Sequence, residues 1–435
     1  MSAIRWHNWS RTQLARPRTL RTPNSTAEVA TAVREAARNA ERLRMVGSGH
    51  SFTGAAVTEG TLLAPTALAR VRNMDVRATG GTVTVEAGLP LCDLNEFLFK
   101  HGMALANLGD IADQTAAGAI QTGTHGTGRT TAGLAQQVVA LELVLADGSV
   151  LTCSARHEPH LFAAARLGLG AFGVLTTVTF AVVPAFLLHA REEPMPLDAA
   201  LDQLDFLHQR NEHFELYWFP YTDLVQTKQN NTVPGPARPL PRWRRHLDDE
   251  LLQNSVFDLV NRVAHHIPRT IPAINQISAR ALSRRTYTDA AHRVLTTTRR
   301  VRFVETEYAI PAGDTATVLQ EIRATLARRN YQISLPLEVR FAPADDVWLS
   351  PAYGRDTAYI AAHVHERGSH EPYFADLEAI FTAANGRPHW GKLHTRNHAE
   401  LRELYPRMDD ATAVRERVDP HRRFTNAYLN RVLGA

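Results

Sequence analysis

The segment Val46-Gly47-Ser48-Gly49-His50-Ser51 constrains this chain more than any other: a glycine-rich turn that ends in a histidine. It follows a strand-like run, Arg42 to Val46, and no amphipathic helix opens directly after it. Glycines at alternating positions let backbone N–H groups close on an anion, forming a nest suited to a pyrophosphate. The usual dinucleotide fingerprint asks for a third glycine at the start of a helix, and both are missing. A bound dinucleotide would therefore be held by another fold, with an imidazole beside it able to bond covalently to its ring. Taken alone, the segment is equally readable as an ordinary loop carrying a histidine.

A length of 435 residues suggests two or three folding units with a sizeable core. Hydrophobic residues make up 44% and charged residues 21%, which excludes a disordered or fibrous chain. The formal net charge is +4, with arginines scattered among acids, so no nucleic-acid partner is expected. The densest basic run, Arg242-Trp243-Arg244-Arg245-His246, reads as a solvated loop. Two cysteines, Cys92 and Cys153, cannot build a disulfide framework, and the N-terminus carries no apolar signal region. With no apolar run of about 18 residues, the expectation is a soluble cytoplasmic protein without a membrane span.

Residues 25 to 185 alternate short helices and strands. Ser25-Thr26-Ala27-Glu28 reads as a capping box opening a helix over 27–40, and a second helix is expected from Leu91 to Lys100. Val138 to Leu145 and Val150 to Cys153 flank Ala146-Asp147-Gly148, a hairpin signal, and Val174 to Val183 is a β-branched strand closed by Pro184. Beyond it, strands are expected at Phe214–Phe219, Val301–Ile310, Leu335–Ala342 and Thr357–His365, with helices at Asp314–Arg329 and Tyr373–Ala384. A loop is expected from Asn230 to His246, with helices following to about Arg285. The pattern is α+β: a first unit over 1–184, a second over 185–392 with an antiparallel sheet covered by helices on one side, and a tail, 393–435, returning to the first.

A second glycine-rich segment, Gly118 to Gly128, contains Thr122-Gly123-Thr124-His125 and offers N–H and hydroxyl donors free of bulky side chains. On the Leu337–Phe341 strand, Glu338 and Arg340 share a face, either as a surface ion pair or as polar groups lining a pocket. In the pocket reading Arg340 fixes oxygens and Glu338 accepts a hydroxyl proton. His363 and His365 repeat that geometry; a third ligand at sensible spacing is missing, so no metal is expected. Pro388-His389-Trp390-Gly391-Lys392 presents either an exposed lysine on a turn or a cation aimed into a cleft.

Together these segments, with Trp6-His7-Asn8-Trp9, Trp348 to Tyr353 and the tail Asp419-Pro420 to Phe424-Thr425-Asn426, resemble the aldonolactone oxidase branch of the vanillyl-alcohol-oxidase-type flavoproteins. The likeness runs from residue 6 to residue 430 in family order. It implies an FAD-binding domain built from both chain ends, a cap over the isoalloxazine, and a single 8α-histidyl bond from His50 to FAD. It also implies cofactor contacts at Gly47, Ser48, Gly49, Ser51, Phe52, Asp110, Thr115, Gly118, Thr122, Gly123, Thr124, His125, Val174 and His389. Glu338, Arg340, His363 and Lys392 match substrate-pocket positions, with Asp110 and His365 also expected to meet substrate; the proton acceptor stays open between Glu338 and His363. Gly109 is expected beside the flavin, where a small residue leaves room for O2.

The implied reaction is hydride transfer from a hydroxyl-bearing carbon of L-gulono- or D-arabinono-1,4-lactone to flavin N5, with O2 reduced to H2O2. The alternatives are an alditol oxidase acting on xylitol or sorbitol, a lactone dehydrogenase using another acceptor, and a non-enzymatic nucleotide-binding protein.

Overall fold

A computed structural model describes residues 4–131, 133–241, 268–281, 284–297, 301–329 and 331–435. Near the N-terminus, strands Thr19–Arg21, Thr61–Leu63 and Leu43–Met45 form a parallel sheet covered by helix Thr26–Arg38. Ser25 caps that helix by accepting from the Glu28 N–H at 3.3 Å. The Glu28 carboxylate reaches past Ser25 to the Asn24 N–H at 2.9 Å, so the expected capping box is shifted by one residue. A six-stranded sheet follows, ordered Val150–Ser154, Val138–Val144, Val174–Pro184, Gly80–Glu86 and Val71–Arg77, with Met103–Ala104 also on Val174–Pro184. The C-terminal helices His398–Leu404, Met408–Val418 and Ala427–Leu433 pack into the same apolar core as this sheet.

Arg44 ties three of these segments together. Its buried guanidinium donates to the carbonyls of Ala55 (2.9 Å), Leu169 (2.5 Å), Gly170 (3.1 Å) and Phe424 (3.0 Å). Burial, and then Arg415, push its pKa down to about 9, with Asp419 opposing. Asn426 adds side-chain bonds to the carbonyls of Gly54, Ala55 and Val57, so the tail is stitched onto the backbone just after the first glycine turn.

The remaining chain forms an eight-stranded antiparallel sheet. Its order is Arg285–Ala290, Leu187–Pro196, Leu224–Thr232, His213–Trp218, Leu337–Ala342, Thr357–His365, Phe303–Pro311 and Arg387–Pro388. Strand side chains alternate between faces, and here the two faces differ completely. Phe214, Leu216, Trp218, Leu337, Val339, Ile360 and Ala362 point to one side, where helices Leu197–Asp202, Leu204–Arg210, Thr315–Arg329 and Glu371–Ala383 bury them. Each fully buried large side chain there contributes about 1.5–3 kcal/mol. The opposite face carries Glu215, Lys228, Glu305, Glu307, Glu338 and Arg340, and several of them line a cleft with the glycine loops of the first half.

Three expectations need correction. Leu187–Pro196 and Arg285–Ala290 are strands that the sequence reading passed over, and the loop expected from Asn230 begins later, because strand Leu224–Thr232 includes it. These strands are rich in polar and charged residues because one of their faces turns toward a buried polar layer, so strand propensity and alternation are weak; pairing with neighbours decides. The basic run at 242–246, and most of the helical stretch expected ahead of residue 268, lie outside the described residues. Among the described residues, no helix is long and apolar enough to cross a membrane.

Replacing Arg44 by Met would strand several buried carbonyls, each costing about 1–3 kcal/mol when unsatisfied. We expect Arg44→Met to lower the chemical-denaturation free energy by roughly 3 kcal/mol or more. A change below about 1 kcal/mol would show that the carbonyl cage is not structural.

Candidate active site

Two clefts meet at His50. The first, with about 910 Å³ of open space, is lined by Gly47, Ser48, Gly49, His50, Ser51, Thr115, Gly118, Thr122 and Val174, and also by Arg44, Gln121 and Phe424. Among the described residues no carboxylate lines it, and the ionisable groups that do are Arg44 and His50. Gly47 must be glycine: a Cβ there would sit 2.3 Å from Thr115 Oγ1. Thr115 in turn caps helix Ala116–Thr122 by accepting from the Gly118 N–H at 3.2 Å. The two glycine segments are thus pressed together, with backbone donors bordering a carboxylate-free channel, the environment a pyrophosphate requires.

The second cleft, about 780 Å³, lies between those loops and the charged sheet face. It is lined by His50, Ser51, Phe52, Asp110, Thr122, Thr124, His125, Glu338, Arg340, His363, His389 and Lys392. The sequence reading missed Trp9, Gln114, Phe303, Glu305 and Glu307, which line it as well. Trp9 stacks on the His50 ring at 5.6 Å, and with Phe52 and Phe303 it forms an aromatic wall. Lys392 is placed by its backbone neighbours: His389 and Leu393 donate N–H to the carbonyls of Glu307 and Glu305 (both 2.9 Å). Between them the buried Trp390 anchors its indole N–H on the Leu349 carbonyl at 2.7 Å.

Glu305 and Glu307, two apart on one strand, both face this cleft. Lys392 Nζ pairs closely with Glu305 and lies 3.9 Å from Glu307. His363 Nε2 is 3.5 Å from Glu305, while its Nδ1 donates to the Pro336 carbonyl at 3.0 Å. Burial alone would raise the Glu305 carboxyl, but Lys392 and His363 outweigh it and hold it at about 2. Glu307 is held well below the carboxylate range in the same way, chiefly by His125, whose Nε2 is 3.0 Å away. For His363 burial works downward, yet Glu305 wins and raises its pKa. Burial pushes His389 down to about 4, with Glu307 opposing. His50 is likewise lowered, first by burial, against an opposing Asp113.

Arg340 bonds Glu338 closely and Glu215 at 3.0 Å, and Lys228 meets Glu215 at 3.1 Å. Tyr217 donates its hydroxyl to Glu338 at 3.2 Å. The Glu338–Arg340 pair is therefore buried, not the surface pair that the sequence left open. Asp110 accepts from the Thr297 hydroxyl at 2.6 Å, joining the loop after Gly109 to the opposite wall.

Three expected site residues do not line either cleft. Gly123 ends helix Ala116–Thr122, and its carbonyl accepts from His389 Nε2 at 3.1 Å. His365 shares a face with His363, but two residues farther along the strand is about 7 Å, and it sits opposite Phe303 instead. Gly109 lies beneath the 122–126 loop, where a Cβ would be 2.6 Å from Thr124 Cγ2 and 3.1 Å from the His125 carbonyl. A side chain at Gly109 would therefore press on the 122–126 loop.

His125, Glu307 and His389 converge with ligand-type atoms within 4.8 Å of one another, apart from the His-x-His pair that the sequence had weighed as a metal site. The ring nitrogens already have partners: His125 on Gly126 and Glu307, His389 on Gly123 and the Gly391 N–H. They make a polar floor to the cleft.

Residues 17–154 match the family described as FAD binding domain, and residues 178–432 match the family described as D-arabinono-1,4-lactone oxidase. The L-gulono-1,4-lactone dehydrogenase of Mycobacterium tuberculosis is 41% identical over 434 residues, covering all of both chains. The L-gulonolactone oxidase of Bos taurus is 34% identical, covering 99% of this chain and 98% of its own. Among solved structures, a cholesterol oxidase from B. sterolicum superposes with a TM-score of 0.85 at 18% identity, over 99% of this chain and 97% of that one, a likeness of fold. The carboxylate-free channel and the cleft beyond His50 agree with these matches, and the chain belongs to the D-arabinono-1,4-lactone oxidase family, with an FAD-binding domain in its N-terminal half.

Proposed function

We propose that this protein oxidises a hydroxyl-bearing carbon of an aldono-1,4-lactone, L-gulono- or D-arabinono-1,4-lactone, with FAD tethered to His50 through an 8α-histidyl bond and O2 as acceptor, giving H2O2. The observation that carries this reading is the meeting of the two clefts at His50, one suited to a pyrophosphate and the other lined with hydroxyl-binding groups. FAD, when bound, supplies the acceptor for the hydride at N5. In this reading residues 1–184 and 393–435 hold the cofactor and 185–392 form the cap. A cytoplasmic location is supported by the free state of Cys92 and Cys153.

The residues take distinct roles. Burial disfavours the charged form of His50, leaving the neutral imidazole, the nucleophilic form. Glu338, fixed by Arg340 and Tyr217, orients substrate hydroxyls. His363 is the proton acceptor: its Nδ1 is committed to a carbonyl, so Nε2 is the exchangeable nitrogen on the cleft side. Lys392 and Arg340, each already paired with a carboxylate, donate N–H to substrate oxygens. A second reading keeps this chemistry with an acceptor other than O2, in line with the dehydrogenase name of the Mycobacterium tuberculosis relative.

Acid precipitation should leave the yellow colour in the wild-type pellet and release it from His50→Ala; colour released from both would remove the covalent bond from the account. Histidine accepts a proton only when neutral, and Glu305 holds His363 cationic above its ordinary value of about 6.5. Hence kcat/KM for a lactone should rise with pH, with a midpoint above about 6.5. Glu305→Gln should move that midpoint down, and an unmoved midpoint would assign the proton to another group. In a substrate panel with O2 and with an artificial acceptor, lactones should be turned over; peroxide from xylitol but from no lactone would make the protein an alditol oxidase.

A further inference from the structure

The second cleft has an unusual charge balance. Asp110, Glu305, Glu307 and Glu338 line it against two permanent cations, Arg340 and Lys392. Neither cation is without a carboxylate. Lys392 Nζ pairs with Glu305 and lies 3.9 Å from Glu307, while Arg340 is held between Glu338 and Glu215, the latter at 3.0 Å. The histidine beside them faces the same way, with its Nε2 3.5 Å from Glu305.

A partly buried cation that already has two carboxylate partners has little attraction left for a third anion, and the surplus carboxylates repel it. Neutral hydroxyls meet the opposite situation. Ionised carboxylates are acceptors only, and each carries lone pairs for O–H donors. The arrangement therefore suits an uncharged polyhydroxy compound and opposes an anionic one of the same size.

We infer that Glu305 and Glu307 act as a charge filter: by neutralising Lys392 they let the cleft take the closed, uncharged lactone and refuse the open-chain aldonate. Hydrolysis of a 1,4-lactone produces that aldonate, with the same carbon skeleton, an added hydroxyl and a carboxylate. A reaction supplying this enzyme must consequently deliver the closed ring, a lactone-forming step acting before oxidation. The inference rests on the proposed lactone oxidation for the identity of the substrate, and on the ion-pair geometry for the exclusion.

The experiment compares, on the flavin-loaded protein, an aldonate with the corresponding aldonamide, which keeps the open chain and removes the charge. Binding is read from the perturbation of the flavin absorption spectrum, independent of turnover. At neutral pH the aldonamide should bind at least about tenfold more tightly than the aldonate, and Glu305→Gln should narrow that ratio several-fold by freeing Lys392. Equal binding of acid and amide to the wild type overturns the inference, and so does a ratio that Glu305→Gln leaves unchanged in a folded, flavin-loaded variant. If that variant does not load, the wild-type ratio alone decides. Lactone turnover in the same samples reports on the proposed function separately: a protein that oxidises no lactone yet prefers the amide loses the reaction and keeps the filter.

Discussion

The ion pair of the partly buried Lys392 with the buried Glu305 is the interaction on which the arrangement of the cleft depends. Two carboxylates two residues apart, enclosed by protein, cannot both stay ionised without a cation between them. Lys392 supplies it, His363 gives Glu305 a second partner, and His125 Nε2 stands 3.0 Å from Glu307. Removing the lysine would leave two buried like charges, which is the expensive outcome for such pairs. The backbone fixes this geometry, because residues 389 to 393 run alongside the strand that bears the glutamates.

That strand belongs to a sheet whose faces could not be exchanged. A register slip of one residue would drive Glu305, Glu307, Glu338 and Arg340 into the helix-covered core and turn leucines and phenylalanines into the cleft. The apolar face therefore specifies where the charges point. The first half of the molecule contributes the complementary part. Two glycine segments in mutual contact hold an open channel, and Arg44 and Asn426 lock the chain's tail against it. His50 stands where channel and cleft join, stacked on Trp9.

Much of this was legible in the sequence, for a physical reason. Gly47, His50, Gly118, His125, Glu338, Arg340, His389 and Lys392 sit in short segments whose residue types are unusual for loops or strand surfaces, so each drew notice. Glu305 and Glu307 lay inside a strand that the sequence did reveal, and their spacing of two was the available signal. Alternating charge on a strand ordinarily means a solvated face, so that spacing by itself does not mark them as site residues. Nothing local says that this face is buried; only the sheet's second covering layer decides it. Trp9 was seen within Trp6-His7-Asn8-Trp9, but its place over His50 depends on a contact across 41 residues. Gly109 depends on a contact of the same kind, since a side chain there would meet Thr124, which lies farther along the chain and adjacent in space.

A cleft that passes electrons from a neutral sugar lactone to a flavin beside His50 must reduce that flavin when it meets the lactone. Mixing the yellow protein with L-gulono- or D-arabinono-1,4-lactone under strictly anaerobic conditions tests it without reference to any external acceptor. The yellow absorbance should be lost in a single turnover and return when an acceptor is admitted. A colour that every lactone leaves unchanged would contradict it.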